Sequence, residues 1–145
     1  MSSILRRASL GAFAALGVFL VAFGLIYANA RTMLPFHAAA VPAEMRGAVL
    51  PLYVALMALI GGSSVALGGL GLYVTFGPLR SGVKGAATAV AGAYSVAFLT
   101  AAFVAERLAR DAGAPTSWHI MGILMAINAF AYWGWSRRDR LFQKH

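Results

Sequence analysis

Two histidines, His37 and His119, are the residues best suited to chemistry in this chain, and each stands at the edge of a long apolar stretch. Imidazole nitrogens bind zinc, copper and iron, and a carboxylate from Glu106 or Glu44 would complete such a ligand set. Axial ligation of a haem iron is a related prediction. No HxxxH or ExxH pair is present, so a metal site at His37, His119 and Glu106 requires the fold to join distant residues. The simpler interpretation makes each histidine a hydrogen-bonding residue at a helix end.

Asn128 lies in the middle of an apolar stretch, where an amide facing lipid would be costly. We expect it to face other helices and to form an interhelical hydrogen bond. The alternative is that Asn128, together with His37 and His119, lines a cofactor pocket for a quinone or a lipid. His119 shares a helical face with small residues such as Gly122 and Ala126, so its side chain is expected to point inward.

Glu106 has two interpretations. It stands four residues before Arg110, which is the spacing of an exposed ion pair on one helix face. It is also the acidic residue closest to an apolar stretch, which makes it the candidate third metal ligand. The ion pair is the favoured interpretation.

Several kinds of chemistry are missing from the chain. It contains no cysteine, which excludes thiol redox chemistry and thiolate metal ligands. No serine has the histidine and aspartate pattern of a hydrolase. The apolar stretches contain no Asp, Glu, Lys or Arg, so they offer no proton relay and no ion-coupling carboxylate. The sequence therefore favours a protein without enzymatic activity and counts against a transporter.

The composition predicts that these residues are positioned by membrane helices. Of the 145 residues 61% are hydrophobic and 11% are charged, against about 25% charged residues in soluble domains. An apolar helix crosses the hydrocarbon core, about 30 Å thick, with about 20 residues. We predict an all-α integral membrane four-helix bundle in a single domain, residues 1–145. The predicted spans are 10–30, 48–77, 86–105 and 118–135, with outer loops at 31–47 and 106–117, an inner loop at 78–85 and a tail at 136–145.

The first span has a rival interpretation as a cleaved signal peptide. Arg6 and Arg7 precede an apolar run that ends in Ala28, Asn29 and Ala30, an arrangement typical of such peptides. The run is longer than the usual apolar region of about 7–15 residues. We therefore expect it to remain as a span that packs against the others.

Small residues on the second span predict close helix packing. Gly61, Ser64, Gly68 and Gly71 recur at steps of three and four residues, forming a face on which a neighbouring backbone can approach. The third span is rich in alanine, glycine, serine and threonine as well. We predict that the second span is the centre of packing and that the third packs closely against it.

The distribution of basic residues predicts that both termini are cytoplasmic. In that orientation eight basic residues are inside, namely Arg6, Arg7, Arg80, Lys84, Arg137, Arg138, Arg140 and Lys144. Four are outside, namely Arg31, Arg46, Arg107 and Arg110. Short cytoplasmic loops carry the excess of Lys and Arg, so the prediction is N-in and C-in across a bacterial inner membrane.

Two short segments resemble a known group of proteins. The stretch Met33-Leu34-Pro35-Phe36-His37-Ala38 and the stretch Pro115-Thr116-Ser117-Trp118 are similar to segments of small uncharacterised bacterial integral membrane proteins with four predicted transmembrane helices. The resemblance implies the same layout and marks His37 as a position to test. It implies no reaction.

The function that the sequence favours is binding or assembly in the membrane, through packing with itself or with a membrane partner subunit. The first alternative is a membrane redox protein, or a metal-, haem- or quinone-binding protein, with its site near His37 and His119 at the outer boundary. The second alternative is a small-solute transporter or channel. No cofactor is the favoured expectation, and a metal ion or haem is the alternative. Although the net charge is +8, we predict no nucleic-acid partner. The basic residues flank apolar blocks and form no stripe with interleaved aromatic residues, which a nucleic-acid surface would have.

Overall fold

The structure, a computed structural model, describes the backbone of residues 2–142 and the side chains of residues 4–136. Within this part of the chain all regular structure is helical. The helices are α1 (Ser2–Ala28), α2 (Pro35–Ala38), α3 (Arg46–Val74), α4 (Ala86–Ala112) and α5 (His119–Phe142). A 3₁₀ turn at Ala43–Met45 leads into α3, and a π-helical turn at Thr75–Leu79 follows it. The all-α prediction is confirmed for the described residues.

Three helices in the described chain are long and apolar enough to cross a membrane. They lie at Ile4–Ala28, Ala43–Leu79 and Ala86–Ala112. The helices extend beyond the predicted spans, since α4 continues to Ala112 through half of the predicted outer loop. The fourth long helix, α5, is less apolar because it includes His119, Asn128 and a cluster of Tyr and Trp residues. The structure thus has the character of a membrane protein.

The closest packing in the molecule is between α1 and α3. A Cβ atom added to Gly24 would lie 2.6 Å from the Gly61 carbonyl oxygen, and one added to Gly68 would lie 2.6 Å from the Gly17 carbonyl oxygen. The two backbones therefore touch, and the pairing of 24 with 61 and 17 with 68 makes the helices antiparallel. The small face predicted on the second span is confirmed, but it contacts α1.

Helices α3 and α4 meet only over a short stretch, which corrects the prediction that the third span packs closely on the second. At this contact the Tyr94 ring fills the space beside Gly71, where no Cβ atom could be accommodated. Tyr94 is completely buried. Because a large side chain separates the two helices here, the small residues of α4 cannot bring its backbone against α3.

Helix α1 packs against α3 on one side and α5 on another, and α4 packs against α5. In α5, Asn128 bonds to Ala91 of α4, and Gly134 lies against Ser9 of α1. Helix α5 is therefore antiparallel to both. The buried core joins α1, α4, α5 and the turn after α3, and its largest members are Phe13, Leu16, Leu20, Leu79, Tyr94, Phe98, Leu124 and Trp135. Helix α3 contributes only partly buried side chains, Leu67 and Val74, at the edge of this core.

These directions define two ends of the bundle. The Arg6 end contains the start of α1, the turn between α3 and α4, and the last turns of α5. The His37 end contains residues 29–45, the end of α4 and the start of α5. Where α3 ends, the Thr75 hydroxyl donates to the Gly71 carbonyl oxygen one turn earlier, over 2.7 Å. Glycines with positive φ at Gly82 and Gly85 complete the turn between α3 and α4.

We expect Gly24→Ala to destabilise the protein and Gly11→Ala to leave it as stable or slightly more stable. The new methyl at position 24 would meet the α3 backbone, and such overpacking costs about 1–3 kcal/mol. At position 11 nothing lies within 4 Å of an added Cβ, and alanine is the better helix former by about 1 kcal/mol. Unfolding of the detergent-purified variants, followed by circular dichroism, measures both. Equal stability of the two would contradict backbone contact between α1 and α3.

Candidate functional site

His37 attaches the segment between α1 and α3 to the body of the protein. Its Nδ1 lies 2.8 Å from the hydroxyl oxygen of Tyr53, a residue in the second turn of α3. The same hydroxyl accepts a hydrogen bond from the Leu34 backbone N–H over 3.2 Å. One tyrosine therefore binds both the short helix α2 and the residue before it. A second polar link between this segment and α3 is the hydrogen bond from Arg46 Nε to the Val41 carbonyl oxygen over 3.0 Å.

Aromatic rings surround the His37 imidazole. The ring centroid of Phe36 is 4.3 Å away, that of Tyr53 is 5.5 Å away, and that of Tyr27 is 6.2 Å away in an edge-on arrangement. Phe23 stacks on Tyr27 at 4.1 Å and continues the aromatic cluster along α1. Burial against these rings lowers the pKa of His37 below its ordinary value of 6.5, because the charged form loses hydration. Burial therefore favours the neutral form of the imidazole.

His119 lies at the same end of the bundle, as predicted, but its side chain is exposed. Its Nδ1 is 2.8 Å from the Ser117 hydroxyl oxygen, and its ring stacks on Trp118 at 4.6 Å. The Ser117 oxygen also accepts from the His119 backbone N–H over 3.4 Å, as a residue capping a helix start does. The predicted inward orientation of His119 is wrong, because α5 buries the face that contains Leu124 and Asn128.

Glu106 is engaged on its own helix. Arg110 donates from Nε to a carboxylate oxygen of Glu106 over 2.6 Å, so the predicted ion pair is present. A second pair, Arg107 with Asp111 at 3.1 Å, lies beside it. Both pairs are exposed and each contributes about 0.3–0.5 kcal/mol.

The structure brings the three predicted metal ligands to one end of the bundle without joining them. Among residues whose side chains are described, no hydrogen bond or ring contact links His37 to His119. In the same part of the chain no group of three His, Asp or Glu side chains is close enough to hold a metal ion. Glu44 is exposed near the start of α3. A metal or haem site at His37, His119 and Glu106 remains a prediction.

Asn128 forms a buried polar junction between α5 and α4. Its Nδ2 donates to the Ala91 carbonyl oxygen over 2.9 Å and to the Ser95 hydroxyl oxygen over 3.0 Å. Only 2% of the residue is exposed, and its Oδ1 has no hydrogen-bond partner in the described structure. The inward orientation and the interhelical hydrogen bond are confirmed. The quinone or lipid pocket remains a prediction.

A second small face on α3 was missed by the sequence analysis. Gly62 and Gly69 stand beside the packed Gly61 and Gly68, and a Cβ atom added to either would meet nothing within 4 Å. Ala66 lies between them and is also exposed. The sequence contains a signal for this face, because it has two Gly-Gly pairs seven residues apart. In a helix the first glycines of the two pairs share one face, and the second glycines share the neighbouring face.

Of the three long apolar helices, α3 is the one that the rest of the protein covers least. Within its most apolar 18-residue window 11% is buried inside the protein, against 33% for α1 and 28% for α4. The uncovered surface includes the face formed by Gly62, Ala66 and Gly69, which we call the outward face of α3. This face and the His37 cluster are the two candidate functional surfaces.

Comparison of the chain with protein-family models, with curated proteins and with solved structures found no match.

We expect Tyr53→Phe to loosen the segment before α3, because it removes the hydroxyl that binds both His37 and the Leu34 N–H. Loss of one such bond costs about 1 kcal/mol, so the Leu34 amide should exchange its hydrogen about fivefold faster or more. Hydrogen exchange of the detergent-purified protein, read by mass spectrometry, measures the change. Tyr27→Phe is the matched control, since the Tyr27 ring contacts His37 but its hydroxyl forms no hydrogen bond in the described chain. An equal effect of both variants would contradict the role of the Tyr53 hydroxyl.

Proposed function

We propose that the protein is a four-span membrane protein in which α5 is the fourth span. Helix α5 lies antiparallel to α1 and α4 and contacts both. These two helices are themselves long and apolar enough to cross a membrane. The polar group at the centre of α5, Asn128, is turned away from lipid. Exposed side chains in the half of α5 that precedes Asn128 include the apolar Ile120, Ile123 and Ile127. The central place of α1 between α3 and α5 supports its retention as a span.

The charges support an orientation with both termini in the cytoplasm. Among residues 4–136 each end has four basic residues, so the excess at the Arg6 end comes from the sequence of the tail, which adds Arg137, Arg138, Arg140 and Lys144. The carboxylates of the described side chains, Glu44, Glu106 and Asp111, all belong to the His37 end. The positive-inside rule assigns the Arg6 end to the cytoplasm, and a bacterial inner membrane is the membrane that the sequence resemblance implies.

Within that membrane we infer a function in assembly, with the outward face of α3 as the binding surface. The observation that carries the proposal is that Gly62 and Gly69 face open space. A glycine within a helix lowers helix stability by about 1 kcal/mol relative to alanine. Where such a glycine faces lipid, it has no side-chain contact that would offset this cost. Facing the backbone of another helix, it permits close approach, as Gly61 and Gly68 do toward α1.

The alternatives have less support. A redox or metal-binding function depends on a ligand set that unites His37 and His119, whereas each has its own partner in Tyr53 and Ser117. A transporter or channel depends on polar groups along a pathway, and the spans carry no Asp, Glu, Lys or Arg between their ends. The outward face of α3 needs only a second apolar helix.

The topology predicts which loops an impermeant reagent reaches. The natural chain has no cysteine, so single variants Thr32→Cys and Ser81→Cys can be labelled without background. Both positions are exposed, one at each end of the bundle. We expect a membrane-impermeant maleimide to label Thr32→Cys in intact cells and Ser81→Cys only after permeabilisation. The reverse pattern, or labelling of both in intact cells, would contradict the N-in and C-in orientation.

The assembly function predicts cross-linking through α3. We expect Ala66→Cys in native membranes to give a covalent adduct on mild oxidation or with a short bismaleimide, either of two copies or with another membrane protein. Val96→Cys, which is also exposed but lies on α4, is the matched control and should give none. Adding Gly62→Leu should reduce the adduct about tenfold, because overpacking costs about 1–3 kcal/mol.

Adding Gly11→Leu in place of Gly62→Leu should leave the adduct unchanged, since position 11 is open and belongs to α1. Mass spectrometry of the adduct identifies the second chain. Absence of any adduct at Ala66→Cys, or equal amounts at Val96→Cys, would overturn the assembly proposal.

A further inference from the structure

Arg6 occupies an unusual position at the Arg6 end, because its guanidinium joins three elements. It donates from Nη2 to the Arg80 carbonyl oxygen in the turn between α3 and α4, over 2.5 Å. Its Cζ lies 5.5 Å from the centre of the Trp135 ring on α5. Trp135 is 5% exposed, so the guanidinium is placed against a buried aromatic side chain. A residue of α1 is therefore fixed between the turn and α5.

The positive charge of Arg6 has no counter-charge among the described side chains. Both ion pairs that these residues form belong to α4, at the opposite end of the bundle. The chain contains four Asp and Glu residues, and the three with described side chains are Glu44, Glu106 and Asp111. Arg7, Arg80 and Lys84 add exposed positive charges at the same end as Arg6. A partly buried charge without a partner is costly, so this end favours an anion from outside the chain.

Two polar groups buried at or near the Arg6 guanidinium lack hydrogen-bond partners in the described structure. Arg6 Nε is buried and has no acceptor in the described structure. One helical turn further along α1, the Ser9 hydroxyl is completely buried and has no hydrogen-bond partner there either. Gly134 of α5 lies so close to this hydroxyl that an added Cβ would be 2.6 Å from it. The interface between α1 and α5 therefore ends in polar donors that lack acceptors.

We propose that this end binds the phosphate group of an anionic phospholipid, with the Arg6 guanidinium as the central ligand and Arg80 and Lys84 as accessory charges. The guanidinium is already oriented by the Arg80 carbonyl and the Trp135 ring, and its planar donors match phosphate oxygens. Arg6 stands at the start of a span that begins at Ile4, which is the depth of lipid headgroups. Basic sites between helices on the cytoplasmic side recognise anionic headgroups.

The lipid site rests on the proposed membrane topology, since that topology places Arg6 at the cytoplasmic headgroup layer. It does not rest on assembly through α3. Its test uses Arg6 variants and lipid binding, whereas assembly is tested by cross-linking at Ala66→Cys. Failure of one can therefore be told from failure of the other.

Native mass spectrometry of the detergent-purified full chain, titrated with phosphatidylglycerol or phosphatidylcholine, tests the site. We expect the wild-type protein to bind phosphatidylglycerol about tenfold more tightly than phosphatidylcholine. Arg6→Gln should weaken phosphatidylglycerol binding about tenfold, the effect of losing a charge-assisted contact. Arg7→Gln, which removes the same charge from the neighbouring exposed position, should weaken it by less than about threefold. Arg6→Lys keeps the charge and should retain the preference for phosphatidylglycerol even if Arg6→Gln does not fold.

Three results would overturn the lipid site. Equal losses in Arg6→Gln and Arg7→Gln would show that general surface charge binds the lipid. Competition by millimolar inorganic phosphate would assign the anion site to free phosphate, while a lack of competition supports the lipid. Equal binding of phosphatidylglycerol and phosphatidylcholine by the wild-type protein would show that the site does not select an anionic headgroup.

Discussion

Direct backbone contact between α1 and α3 is the constraint on which the rest of the structure depends. Gly17 and Gly24 on one helix meet Gly68 and Gly61 on the other, with no space for a side chain between them. In a membrane, where lipid tails are as apolar as leucine, such close contact is a main source of helix association. Once α3 is held on one side of α1, α5 packs elsewhere on α1, and α4 reaches the core through α5.

This arrangement explains why α3 is left with a free surface. The face of α3 that contains Gly61 and Gly68 is buried against α1, and Tyr94 fills the space beside Gly71. The face that contains Gly62 and Gly69 has no neighbour within the described protein. Both faces contain two glycines seven residues apart, so the second is suited to the same kind of contact with another chain. The lipid site at Arg6 arises separately, from the meeting of α1, the α3–α4 turn and α5.

The histidines show how far sequence reasoning about a site can reach. Their position at one end of the bundle follows from hydropathy, because both flank apolar stretches that cross in opposite directions. Their partners do not follow from hydropathy. His37 meets Tyr53, sixteen residues away, because α2 folds back over the start of α3. His119 is exposed because the rotation of α5 is set by Asn128, which turns toward Ala91 and Ser95.

The sequence by itself determined the membrane character, the helical class, the small face of α3 and the burial of Asn128. Each of these depends on local composition or on the period of one helix, and the cost of exposing a polar group to lipid depends little on the fold. Only the tertiary structure decided that α1 is the partner of that face, that Tyr53 holds His37 and that Arg6 lies against Trp135. Helical periodicity shows which residues share a face of one helix. Which neighbour that face contacts depends on how all the helices pack together.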